Sequence, residues 1–96
     1  MTTDLSILEE IFNIIEERRA LKPEGSYVSH LMVAGTDKIS QKIGEEAIEV
    51  IIAAKNDDRD ALIYEIADLW FHSMVLLSAK NLKLGDICAE LSHRRK

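Results

Sequence analysis

Apolar residues recur along most of this chain at the three-and-four spacing of a helix face. Leu5, Leu8, Phe12 and Ile15, flanked by Ile7, Ile11 and Ile14, lie opposite Ser6, Glu9, Glu10, Asn13, Glu16 and Glu17, which predicts an amphipathic first helix. Thr3 or Asp4 caps its start, Arg18, Arg19 and Lys22 complement its carboxyl end, and Pro23 stops it. Pro23-Glu24-Gly25-Ser26 reads as a turn, and Ser26 caps a short connecting helix through Tyr27, Leu31 and Met32 that ends at Gly35. Thr36 and Asp37 read as caps of a third helix, with Ile39, Ile43, Ala47, Val50, Ile51 and Ala54 on one broad arc. Gly44 lies mid-helix, where its missing side chain would admit a neighbouring helix or a substrate.

Asn56-Asp57-Asp58 breaks the pattern and caps a fourth helix, predicted from Arg59 to Lys80 with Asn81 as a left-handed terminus. Here Ile63, Ile66, Leu69, Trp70, Phe71, Met74, Val75, Leu76 and Leu77 surround the axis on nearly every side. A helix apolar all round must be covered all round, and three short companions barely suffice, so a second subunit is predicted against it. A last helix from Leu84 to His93 turns Ile87, Cys88 and Leu91 inward; Cys88, Met74 and Trp70 read as core. With no repeat and no strand of useful length, the expected fold is all-α. It is a single domain over residues 1–96, a bundle of about four main helices plus the short connecting helix, completed by homodimerisation.

Composition narrows the partners. Ninety-six residues with 47% hydrophobic and 30% charged positions describe an ordinary globular domain. The net charge of −5, with basic residues scattered apart from Arg94-Arg95-Lys96, argues against a nucleic-acid partner. Cys88 is the one cysteine, so no intramolecular disulfide forms and a reducing, cytoplasmic setting is expected. The amino terminus lacks a basic run followed by an apolar core, and no apolar stretch is read as approaching the roughly 20 residues of a membrane span. No membrane partner is expected.

The polar exceptions carry the candidate chemistry. Glu46 and Glu49 stand three apart on the third helix, and Glu65 and Asp68 repeat that spacing inside the most apolar helix. One such pair is most simply a solvated face. The second pair changes that, because unpaired carboxylates in apolar surroundings are costly and converging acids repel. A hard, oxygen-coordinated cation resolves both, which points to Mg²⁺ with Mn²⁺ as a substitute. Zinc lacks its cysteines and paired histidines, and a di-iron centre would need two Glu-x-x-His motifs. Lys38 and Lys42 read equally as surface ion-pair partners and as phosphate contacts. His72, one turn beyond Asp68, is either a satisfied core histidine or an orienting group behind the Asp68 carboxylate. Ser26 and Tyr27, exposed by the turn, are candidate substrate contacts, although Tyr27 equally suits packing.

The Glu46-x-x-Glu49 and Glu65-x-x-Asp68 pattern resembles the signature of the all-α, MazG-like nucleoside triphosphate pyrophosphohydrolases. Arg18-Arg19, Pro23-Glu24-Gly25-Ser26-Tyr27, Gln41-Lys42-Ile43-Gly44-Glu45-Glu46, Ala67-Asp68-Leu69 and Phe71-His72 further resemble the phosphoribosyl-ATP pyrophosphatase family, from Leu5 to Arg94. The resemblance implies a homodimeric helical bundle that uses Mg²⁺ to hydrolyse phosphoribosyl-ATP to phosphoribosyl-AMP and pyrophosphate in histidine biosynthesis. Carried over by position, Glu46, Glu49, Glu65 and Asp68 are metal ligands and Glu45, Glu46 and Glu49 are catalytic. Some relatives are fused to a cyclohydrolase, for which this chain is too short. Lys83 and Gly85 depart from the family's better helix-starting residues, and Trp70 from a Tyr or smaller apolar residue. Two other readings compete: a house-cleaning pyrophosphatase of noncanonical nucleoside triphosphates, and a non-enzymatic dimerisation bundle whose acids are merely solvated.

Overall fold

A computed structural model describes residues 3–95; Met1, Thr2 and Lys96, the ends of the expected domain, lie outside the described residues. Five helices follow one another: α1 (Ser6–Leu21), α2 (Tyr27–Ala34), α3 (Thr36–Lys55), α4 (Arg59–Ala79) and α5 (Leu84–Arg94). No strand occurs among the described residues. The fold is all-α, with α2 as the short connector.

Local chemistry accounts for most boundaries. The Asp4 carboxylate accepts from the Ser6 N–H at 2.9 Å, and Lys22 closes α1 in the left-handed conformation (φ 48°) just before Pro23. Ser26 caps α2, its hydroxyl accepting from the Ser29 N–H at 3.2 Å. Asp58 caps α4 by accepting from the Ala61 N–H at 3.1 Å, and Asn81 takes the left-handed position after α4 (φ 60°). At α5 the Asp86 carboxylate accepts from the Lys83 N–H at 2.8 Å, so Lys83 begins the helix without a capping side chain of its own.

Two boundaries differ from the sequence reading: Leu5, rather than Thr3 or Asp4, immediately precedes α1, and no side chain caps that helix, the Asp4 carboxylate reaching only the Ser6 N–H. Thr36 and Asp37 do not cap α3; both lie inside its first turn, and no side chain caps it. Gly35, at φ 101°, ends α2 through its N–H to the Leu31 carbonyl and starts α3 by accepting from the Ile39 N–H. One glycine in a backbone region closed to other residues makes the corner, leaving no room for a separate cap.

The core is formed by Phe12 and Ile15 of α1, Val28 and Leu31 of α2, Ile39 of α3, and Met74 and Val75 of α4. Helices α3 and α4, joined by the short turn at Asn56, Asp57 and Asp58, pack along each other as a hairpin, and α1 and α2 close one side of it. A polar clamp fastens α1 to the end of α4. Glu16 accepts from the Ser78 hydroxyl and from the Lys83 ammonium, each at 2.6 Å, while Arg19 donates to the Ser78 carbonyl and to Asn81 Oδ1.

Several residues read as inward face solvent in the single chain. Trp70 is 55% exposed, and Ile51, Ala54, Ile63, Ile87, Cys88 and Leu91 are exposed as well. No residue of α5 is buried; Leu84 is its residue packed on the core. The apolar period marks which face seeks cover, but one chain of this length lacks the elements to supply it. Gly44 likewise has no neighbouring atom within 4 Å of where a side chain would begin, so no described residue exploits the gap. A further correction concerns α4: its 21 residues are long and apolar enough to match a membrane span by length and composition. It nevertheless carries Glu65, Asp68 and His72 along its middle and packs against α1 and α3, as the central helix of a small bundle does.

Candidate metal-binding active site

Helices α3 and α4 hold the acids face to face. Glu46 lies on the border of the α3 apolar arc, so the hairpin buries it to 9% exposure, against Asp68 and Glu65 of α4. Its Oε2 atom is buried without a hydrogen-bond partner among the described residues. Burial first, and then the adjacent Asp68 and Glu65 carboxylates, push the Glu46 carboxyl up to about 7. The group therefore sits between two costs, a buried charge among like charges or a proton held near neutral pH.

Glu46, Asp68 and His72 each bring one potential ligand atom to within 4.8 Å of the others. Oxygens around an octahedral Mg²⁺ lie about 3 to 4 Å apart, so a small inward adjustment of Glu46 and Asp68 would suit such an ion. The unpaired Glu46 oxygen supplies a donor atom that no other described residue uses. His72 is differently placed. It is 3% exposed, its Nδ1 is 2.8 Å from the Asp68 main-chain carbonyl and 3.8 Å from the Asp68 carboxylate, and its Nε2 is 2.7 Å from the Tyr27 hydroxyl. With both ring nitrogens engaged, it supports the acids from behind rather than offering a free ligand atom.

The remaining sequence candidates fall into two groups. Glu65 is half-buried next to Glu46, whereas Glu49 is exposed one turn further along α3. Glu45 faces outward; it accepts from Gln41 Nε2 at 3.0 Å, which lowers its carboxyl below the ordinary glutamate range, and pairs loosely with Lys42 at 3.8 Å. Lys38 is exposed, while Lys42 is half-buried and close enough for its charge to act on the Tyr27 hydroxyl. Ser26 spends its hydroxyl on the α2 cap. Tyr27 is 47% exposed; its hydroxyl, raised chiefly by desolvation, lies in the field of Lys42, Asp68 and Glu46.

Linear spacing does not reveal the Tyr27–His72 contact, because the partners are 45 residues apart and on different helices. The same holds for the clamp from Glu16 and Arg19 to Ser78, Asn81 and Lys83. Its one sequence signal is a serine at a core position of an apolar helix, which requires a hydrogen-bond partner from elsewhere.

An open groove of about 380 Å³ adjoins the acids, lined by Leu8 and Ile11 of α1 and by Tyr64, Asp68, Trp70 and Phe71 of α4 among others. Asp68 thus faces both the carboxylate cluster and an apolar trough.

Residues 8–95 match the family model described as phosphoribosyl-ATP pyrophosphohydrolase. The phosphoribosyl-ATP pyrophosphatase of Clostridium botulinum strain Hall is 52% identical over 91 residues, covering 95% of this chain and 83% of that protein. That of Vesicomyosocius okutanii is 51% identical over 88 residues, covering 92% of this chain and 84% of the relative. The histidine biosynthesis bifunctional protein HisIE of Caldanaerobacter subterraneus is 48% identical over 92 residues, covering 96% of this chain but 45% of the longer protein. A family match across nearly the whole chain, with relatives at about half identity matched over most of their own length, places this chain in the phosphoribosyl-ATP pyrophosphohydrolase family.

Proposed function

We propose that this chain hydrolyses phosphoribosyl-ATP to phosphoribosyl-AMP and pyrophosphate, in histidine biosynthesis, with Mg²⁺ held by Glu46, Glu65, Asp68 and Glu49. Family membership supports the reaction, since the relatives carry that activity in their names. The observation that carries the site is the buried Glu46 carboxylate, with one oxygen unpaired, packed against Asp68 and Glu65. Mn²⁺ is the substitute that the same oxygen ligands would accept.

A bound divalent cation offsets the repulsion between carboxylates and polyphosphate, draws charge from phosphorus and lowers the pKa of a water. The chain's own residues do the rest. Glu46, Asp68 and Glu65, brought together across the hairpin, would hold the cation, Glu46 as its carboxylate. Glu49, exposed on α3 and the least enclosed of the four acids, would accept a proton from an attacking water through an oxygen that the cation leaves unengaged, a role for which Glu45 is less available because Gln41 and Lys42 engage it. Lys42, held at the Tyr27 side of the cluster, and Lys38, one turn earlier, are the cations for phosphate oxygens.

The functional unit is a homodimer in the cytoplasm. The chain exposes 7151 Å², against about 5,600 Å² for a folded monomer of its mass. Its radius of gyration, 14.5 Å, exceeds the roughly 12.5 Å of a compact domain of this length. The excess, of the order of 1,500 Å², is what each half of a permanent dimer hides. It includes Ile48, Ile51, Ile63, Tyr64 and Trp70 on α3 and α4.

Measuring pyrophosphate release from phosphoribosyl-ATP, ordinary nucleoside triphosphates and noncanonical ones, with and without Mg²⁺, tests the reading. Preference for phosphoribosyl-ATP that disappears with chelator is expected. Equal or greater turnover of noncanonical nucleotides would transfer the chain to the house-cleaning reading. A melting temperature unmoved by millimolar Mg²⁺ would favour solvated acids on a non-enzymatic bundle.

A further inference from the structure

The contact joining α2 to α4 has a direction that valence determines. The Asp68 main-chain carbonyl can only accept, so its 2.8 Å contact with His72 Nδ1 requires the proton on that nitrogen. In the neutral form of that tautomer Nε2 is an acceptor, for which the Tyr27 hydroxyl, 2.7 Å away, is the donor. Tyr27 and Phe71 both meet the buried ring edge-on, at centroid distances of 5.7 and 5.5 Å, which fixes its plane. The single phenolic proton is therefore spent inward. The phenol oxygen keeps its lone pairs on a side chain that is half exposed beside Lys42, Asp68 and Glu46. An oxygen in that state offers nothing to a phosphate oxygen, which also only accepts.

We infer that His72 is a positioning residue that presents Tyr27 as an acceptor-only contact, receiving a hydrogen bond from an O–H donor at the rim of the acid cluster. Two donors share that chemistry: a water on the divalent cation, and a sugar hydroxyl of the substrate. The inference rests on the reading of the cluster as a metal-dependent nucleotide site, and it redefines Tyr27 from a general substrate contact to one that excludes phosphate.

Nitrogen-15 NMR of His72 in cation-free protein at pH 8 tests the lock independently of any activity. The neutral Nδ1–H form is expected; an Nε2–H or doubly protonated ring overturns the inference, because the phenolic proton would then be free. Tyr27→Phe removes the oxygen while keeping the ring, and two readings are taken on it: Mn²⁺ affinity by electron paramagnetic resonance without nucleotide, and KM separately from kcat for phosphoribosyl-ATP. Loss of one hydrogen bond predicts a change of roughly tenfold. Weaker Mn²⁺ binding assigns the metal-bound water, and a raised KM with Mn²⁺ affinity intact assigns the sugar hydroxyl. No change in either overturns the inference. His72→Gln, whose amide oxygen can still accept from Tyr27, should restore most of what His72→Leu loses; equal losses in the two would mean that His72 merely fills space. Failure of wild type to bind Mn²⁺ or release pyrophosphate would refute the function proposed above, while the NMR result would still decide the tautomer.

Discussion

Glu46 concentrates the tension in this molecule at one side chain. Its carboxyl titrates near 7 in the fold against an ordinary value of 4.5, so between those values the folded state holds more protons than the unfolded one. The sign follows: in cation-free protein the stabilisation present below pH 4.5 is lost as pH rises through about 7, by on the order of 3 kcal/mol in urea unfolding. Glu46→Gln should flatten that dependence and leave the cation-free fold at pH 8 as stable as wild type or more so. It should also abolish stabilisation by Mg²⁺ and lower turnover by roughly 100-fold or more, read from thermal melts with and without Mg²⁺ and from pyrophosphate release. A variant that melted lower and kept its Mg²⁺ response would show that the carboxylate serves the fold. Glu46 and Asp68 were legible as candidates because helical spacing aligns each pair. Its place at the edge of the apolar arc indicated a half-buried side chain turned toward a neighbouring helix, and its full burial came from α4 closing over it.

At the scale of elements, the polar clamp and the Gly44 gap behave in opposite ways. Ser78 is fully buried within α4, and its hydroxyl donates to Glu16, whose carboxyl is held below the ordinary range by Lys83 first and then by Ser78. Ser78→Ala should cost about 1–2 kcal/mol in urea unfolding at pH 7 by removing that donor. Because the Glu16 pKa is depressed, the contribution of its ion pair is present above pH 4.5 and fades as the solution is acidified below it, so the Ser78→Ala penalty should shrink there. Gly44 instead sits mid-helix with open space around it, and Gly44→Ala should stabilise the chain by about 0.5–1 kcal/mol through helix propensity alone. Higher stability accompanied by lost turnover would assign the gap to substrate approach. Higher stability with wild-type turnover would mean that the glycine serves neither. Helix limits were readable from caps and breakers within a few residues. The clamp was not, since its partners lie 59 to 67 positions apart and meet only after α1 docks on α4.

For the whole molecule, the exposed aliphatic and aromatic surface of α3 and α4 sets the prediction. Light scattering at micromolar concentration should give about twice the 10.9 kDa chain mass. Ile63→Lys or Trp70→Glu should shift the species toward monomer and lower the melting temperature in a concentration-dependent way. A monomeric wild type at that concentration would leave the apolar face without the cover proposed for it. The amino-acid sequence by itself determined the all-α class, the five-helix order, the Ser26 and Asp58 caps and the acid pairs, because each depends on residues within a few positions of one another. The Gly35 corner, the burial of Glu46 against Asp68 and Glu65, the Tyr27–His72 lock and the exposure of Trp70 and Cys88 were decided only by tertiary structure. Burial and long-range hydrogen bonding depend on which faces meet, and hydrophobic periodicity marks a face without naming what covers it.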